Sequence, residues 1–184
     1  MNRNRHLLGL LLAGSLLLPV AHAEKADRNK PIEITANTGS LDQLKGVTTW
    51  SGNVVVIQGT LKLNADHVTV TQDKQGNQTM HATGRIVTFR QKMDGKNEWV
   101  EGQSSVLDYT SAIHLAVLTG NARVKRGEDL VIGNVITYNT ETELYQVNGG
   151  PSSAPNKGRV TVILQPKNAT PPSSAPAKSD GKPK

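Results

Sequence analysis

The chain has 184 residues, a formal net charge of +6 and no cysteine, and 36% of it is hydrophobic but only 3% aromatic. Without cysteine, neither a disulfide framework nor a thiolate metal site can form. The charge sits at the ends: setting aside Arg3, Arg5 and the stretch from Pro166 onward, residues 24–165 hold 15 basic and 14 acidic side chains, which excludes the concentrated basic surface of a nucleic-acid binder.

Residues 1–23 read as a cleavable secretory leader. Arg3, Arg5 and His6 precede an apolar run from Leu7 to Leu18, Pro19 breaks it, and Ala21-His22-Ala23 supplies small residues at −3 and −1, so cleavage is expected before Glu24. The run is too short to cross a hydrocarbon core of about 30 Å as a helix. A mature protein outside the cytoplasm follows, with residues 24–30 as an extension and 31–165 as one domain.

From Ile32 onward the pattern is β throughout. Ile32-Glu33-Ile34-Thr35-Ala36, Leu61-Lys62-Leu63-Asn64-Ala65, His67-Val68-Thr69-Val70 and Val160-Thr161-Val162-Ile163-Leu164 alternate apolar with polar residues, the period of strands with one buried face. Glycines at 52, 59, 76, 84, 95, 102, 120, 127 and 133 punctuate them as turns, bulges or strand ends. No stretch keeps a helical period for three turns.

Gly52-Asn53-Val54-Val55-Val56-Ile57-Gln58-Gly59 is echoed by Gly120-Asn121-Ala122-Arg123-Val124-Lys125-Arg126-Gly127. Arg123 and Lys125 face water, so Ala122 and Val124 point inward, and by analogy Val54 and Val56 do too. A repeated strand–turn–strand unit stacks along an axis, each unit burying its face on the next. Pro151 to Asn156 reads as a loop before a last strand, Gly158 to Leu164. The Pro/Ser/Ala/Lys stretch of residues 166–184 cannot bury apolar surface and is expected to be disordered.

Catalytic and metal motifs are wanting. Gly102-Gln103-Ser104-Ser105-Val106 starts like a nucleophile elbow but has valine in place of the second glycine. His67, His81 and His114 lie on separate strands without ligand spacing. Asp66 and Asp108 sit where Asx side chains cap turns. No glycine-rich phosphate loop precedes a helix. The expectation is a protein that is not an enzyme and needs no cofactor.

Several short elements, in order, resemble the OstA-like family. They are Pro31-Ile32-Glu33-Ile34, Ser51-Gly52-Asn53-Val54, Gln58-Gly59-Thr60-Leu61-Lys62-Leu63-Asn64-Ala65-Asp66, Ala82-Thr83-Gly84 leading to Thr88-Phe89, Val100-Glu101-Gly102, Leu118-Thr119-Gly120-Asn121-Ala122 and Gly133-Asn134-Val135-Ile136-Thr137-Tyr138. The resemblance implies a slightly twisted antiparallel β-jelly roll of about sixteen short strands, open at both ends. It further implies a periplasmic lipopolysaccharide carrier that shields lipid A acyl chains in an apolar groove between two sheets. Such proteins associate head to tail, and connect an LptC-like inner-membrane partner to an LptD-like outer-membrane partner. The leader-like start and the end at Lys184 favour the free periplasmic member of the family over either partner.

A twelve-carbon chain left in water costs about 10 kcal/mol at ~0.8 kcal/mol per methylene, so a carrier needs a continuous apolar lining. On the resemblance, the inward residues expected to supply it are Ile32, Ile34, Phe89 and Tyr109, with Val54, Val56, Leu61 and Leu63. Two other readings fit alternation alone: a structural β-solenoid without lipid, or a glycan-binding envelope module using Trp50 and Trp99. The early strand Ile32 to Asn37 and the late strand Gly158 to Leu164 are the expected sheet edges, open to pairing with another copy.

Overall fold

β-branched residues in period-2 runs, cut by glycine-containing turns, form strands throughout. The computed structural model describes residue 27 and residues 30–93, 96–151 and 158–166. The expected leader and its cleavage site, and all but the first residue of the expected tail, lie outside the described residues. Ten strands are present among them: β1 (Glu33–Thr35), β2 (Thr38–Asp42), β3 (Val47–Gln58), β4 (Leu61–Gln72), β5 (Gln78–Lys92), β6 (Trp99–Thr110), β7 (Leu115–Arg126), β8 (Asp129–Asn139), β9 (Leu144–Asn148) and β10 (Thr161–Ile163). They make one antiparallel sheet in which β3 to β8 follow one another as a meander.

Each edge of the sheet is shared by two short strands. β1 pairs with the second half of β3 and β2 with its first half. At the other edge β9 pairs with the second half of β8 and β10 with its first half. The expected early and late edge strands are therefore β1 and β10, each accompanied by a second strand on the other half of the sheet.

A line of bulges divides the sheet lengthwise. The register shifts between Ser51 and Val54 in β3, Asn64 and His67 in β4, Thr83 and Val87 in β5, Gln103 and Val106 in β6, and Thr119 and Ala122 in β7. In the repeated pair the extra residues are Gly-Asn, with φ of 81° and 49° at Gly52 and Asn53 and 82° and 50° at Gly120 and Asn121. Left-handed backbone is open to glycine and, next best, to asparagine, so the Gly-Asn repeat is the local signal for the bend. At β4 the Asp66 carboxylate accepts the Arg85 N–H at 2.8 Å and closes the bulge. Asp108, expected to cap a turn, lies inside β6 and bonds His81 Nδ1 at 2.6 Å.

The bulges correct one expectation and change how the strands are counted. An added residue reverses the alternation, so Leu63 and Ala65 before the bulge and Val68 and Val70 after it all face the core of β4. Runs that look like separate short strands are thus continuous, and ten strands are counted among the described residues; the expectation of about sixteen counts separately the short runs that the bulges join. For the same reason the described residues form not two sheets with a groove between them but two halves of one sheet, continuous through the bulge line.

Both halves present their inner faces to one core. Across one half, cross-strand neighbours form the row Ile34, Val56, Leu63, Phe89, Gly102, Val124, Val131, Val162. Across the other runs Thr48, Val70, Met80, Tyr109, Ala116, Tyr138, Tyr145. Val54, Val56, Ala122 and Val124 are buried, as the repeat predicts, and Arg123 is exposed. Leu63, Leu118 and Ile136 are the largest side chains fully out of water, each contributing about 1.5–3 kcal/mol relative to exposure.

Candidate functional site: an apolar groove between the half-sheets

The two rows enclose a cavity of about 90 Å³ lined from β3, β4, β5, β6, β7 and β8. Leu61, Leu63, Phe89, Met93 and Val100 come from one half, and Met80, Leu107, Tyr109, Ala116 and Tyr138 from the other. The polar lining is limited to Gln58, Gln91, Lys92 and Thr140. The volume is below the ~300–1,000 Å³ of ordinary small-molecule sites. The unbranched side chains of Met80 and Met93 in its wall repack at low cost, so the cavity can widen for a larger apolar guest.

Two aromatic contacts shape the walls. Phe89 stands opposite Gly102 in register, and its ring covers the glycine so closely that a Cβ there would overlap Cε1 and Cζ. The missing side chain on β6 thus lets the ring of β5 lie flat along the wall. Tyr138 stacks on Tyr145, with ring centroids 4.4 Å apart and planes 18° from parallel.

At the rim, charged groups from the two halves meet. Glu143, in the β8–β9 turn with φ of 57°, receives Arg126 Nη1 at 3.0 Å and Lys96 Nζ at 3.4 Å on its Oε2. Arg126 ends β7 on the inner face of the opposite half, and its Nε also lies 3.7 Å from Glu98. These pairs tie the outer end of one half-sheet to that of the other. On the β3–β4 side the rim is closed differently. Buried Asp27 accepts the Thr60 N–H at 2.9 Å and the Thr60 hydroxyl, and Thr60 Oγ1 accepts the Lys92 N–H at 3.2 Å.

Of the residues expected to line a groove, Phe89, Tyr109, Leu61 and Leu63 are brought together in the cavity wall. Val54 and Val56 are wholly buried beneath it, and Ile32 and Ile34 pack against the core near the β1 edge without lining the cavity. Met80, Met93, Val100, Leu107, Ala116 and Tyr138 line it without having been singled out. Met80, Ala116 and Tyr138 share one cross-strand row with Tyr109, so a correct strand register finds them. Nothing in the local sequence marks Met93 or the ion pairs of Glu143.

Elsewhere the polar residues have structural work. Ser104 lies inside β6 and donates its hydroxyl to the Val106 carbonyl at 2.7 Å. His67 Nδ1 lies 3.1 Å from Ser51 Oγ, and His114 Nε2 is 3.8 Å from Glu141. Among the described residues no three His, Cys, Asp or Glu side chains converge on a possible metal position.

The profile of a family described as "LptA/(LptD N-terminal domain) LPS transport protein" matches residues 33–144. The lipopolysaccharide export system protein LptA of Escherichia coli K12 is 38% identical over 169 residues, covering 89% of this chain and 87% of that protein. LptA of Haemophilus influenzae is 36% identical over 149 residues, covering 79% and 83%. In three dimensions the chain is similar to the crystal structure of LptH, described as the LptA-homologous periplasmic component of the lipopolysaccharide transport device of Pseudomonas aeruginosa. The TM-score is 0.69 at 27% identity, covering 76% of this chain and 99% of that one.

Proposed function

The chain belongs to the LptA and LptD N-terminal domain family of lipopolysaccharide transport proteins, and from that premise we propose that it carries lipopolysaccharide through the periplasm with the lipid A acyl chains in the groove. The observation that carries this reading is the lining: an apolar cavity walled by residues of six strands, where removing each methylene from water is worth about 0.8 kcal/mol. Its role is transport, with shape and apolar surface in place of catalytic groups. Ile32, Ile34, Val54, Val56, Leu61, Leu63, Phe89 and Tyr109 are the proposed contacts, those in the wall directly and the others as its support.

The remaining assignments follow the same premise. Residues 1–23 are a leader cut between Ala23 and Glu24, residues 24–30 an extension, 31–165 the carrier domain and 166–184 a tail. Copies associate head to tail, the β1–β2 edge of one against the β9–β10 edge of the next, by main-chain pairing. Val160, Val162, Ile163 and Leu164 are exposed at the second edge, and such a heterologous contact extends as an open filament. An LptC-like protein at the inner membrane and an LptD-like protein at the outer membrane are the end partners. A glycan platform is less suited, because Trp50 packs inward against the core while Trp99 lies under Arg90, 4.0 Å from its ring centroid.

The test is photo-crosslinking in the periplasm. A crosslinking residue at wall position 89 or 109 is expected to capture lipopolysaccharide, and one at outward-facing 69 or 125 is not. Equal capture at all four positions would mean adsorption to the surface and would overturn the groove.

A further inference from the structure

The ion pairs at the rim have a geometry that suits an anion other than the one they hold. Arg126 and Lys96 converge on a single oxygen, Oε2 of Glu143, at 3.0 and 3.4 Å. Arg126 follows Val124 on the inner face of β7 and is paired in register with Val100 of the cavity wall. Its guanidinium therefore stands where an acyl chain would leave the groove and its headgroup begin. Glu143 belongs to the opposite half-sheet, so the same contact also holds the rim together.

We propose that Arg126 and Lys96 are the seat for a phosphate of the acylated ligand, and that Glu143 fills this seat while the groove is empty. The inference rests on the lipid-carrier reading above and deepens it by naming the residues that meet the headgroup. Guanidinium and phosphate pair through two parallel hydrogen bonds, so phosphate replaces the carboxylate with neither cation left unpaired, and the part-exposed Glu143 turns to solvent. A bare cation at an apolar rim would have to be desolvated when ligand arrives; a cation already paired exchanges one anion for another.

The experiment measures binding of the full mature chain to three ligands: bisphosphorylated lipid A, the same lipid stripped of phosphate, and inorganic phosphate. Glu143→Gln removes the internal competitor and is expected to tighten bisphosphorylated lipid A about three- to tenfold. Arg126→Gln is expected to weaken it about tenfold and to reduce its salt dependence, with Arg126→Lys recovering part of the loss. Neither variant changes affinity for the phosphate-free lipid by more than about twofold. Inorganic phosphate alone does not compete at millimolar concentration, because it brings no chain to the groove. Arg123→Gln, on the outer face of the same strand, leaves all affinities unchanged. Unaltered or weaker binding by Glu143→Gln overturns the seat, as does an equal loss for both lipids in Arg126→Gln. Failure of the unaltered protein to bind either lipid overturns the carrier reading itself, a separable result.

Discussion

Replacing Gly102 with alanine tests whether the groove wall is built by the Phe89 ring lying on a bare strand. A Cβ at position 102 would stand 2.7 Å from Cζ and 2.9 Å from Cδ1 of Phe89, and nearer still to Cε1, well inside contact distance. The φ of Gly102 is not in the left-handed region, so the backbone accepts alanine and the whole penalty is overpacking, about 1–3 kcal/mol. Alanine recovers about 0.4–1 kcal/mol by restricting the unfolded chain, leaving a net loss of about 0.5–2 kcal/mol. Phe89→Ala alone loses about 2 kcal/mol, less than the ~3–5 of a fully buried Phe because the ring borders the cavity. In that background the methyl at 102 enters vacated space and costs nothing. The double variant is then more stable than the sum of the singles predicts by the overpacking penalty it relieves, about 1–3 kcal/mol. Equilibrium urea unfolding of the four proteins reads this coupling directly. Additivity within about 0.5 kcal/mol would refute the packing argument. Lipid binding gives a second readout, since the ring displaced by Gly102→Ala narrows the groove and the double variant reopens it.

Asn121→Val is expected to cost about 1–2 kcal/mol because residue 121 holds φ of 50° at an exposed bulge, whereas Asn121→Gly should be near neutral; equal losses in thermal or urea unfolding would show that the side chain and not the backbone matters. Truncation after Gln165 should leave the melting temperature and lipopolysaccharide affinity unchanged, and loss of affinity would instead place phosphate contacts on Lys178, Lys182 or Lys184. Asp73, in the β4–β5 turn, is held below the usual carboxylate range by the Asn77 side-chain amide and the backbone N–H groups of Asn77, Gln75 and Gly76. A carboxyl with a lowered folded-state pKa adds stability above its unfolded pKa and loses it as pH falls through the folded value. Asp73 should therefore titrate low by NMR, and Asn77→Ala should move it back up; a normal titration in both would remove the turn from the acid response.

Alternation within a strand is a local property, and for that reason the sequence alone determined which side chains face inward. Val54, Val56, Ala122 and Val124 could be assigned from one repeat, because charged Arg123 and Lys125 cannot share a face with the core. The all-β class was legible in the same way, and Gly52 and Gly120 were marked as turn, bulge or strand-end positions; that they and the following asparagines form bulges with left-handed backbone came from the structure. Register across strands is not local. Only the tertiary structure decided that Leu61 to Ala65 and His67 to Val70 are one strand through a bulge, because the added residue that restores the inward face is defined by its partners on β3 and β5. Which inward residues line a cavity and which are simply packed also depends on how the two halves meet: Val56 and Phe89 lie on one row, yet the first is fully buried and the second borders the groove. The pairing of Glu143 with Arg126 and Lys96 joins turns far apart in the chain. Coulomb attraction between surface charges is too weak to bring such segments together; burial of the apolar rows did that, and the ion pair formed where the folded halves placed it.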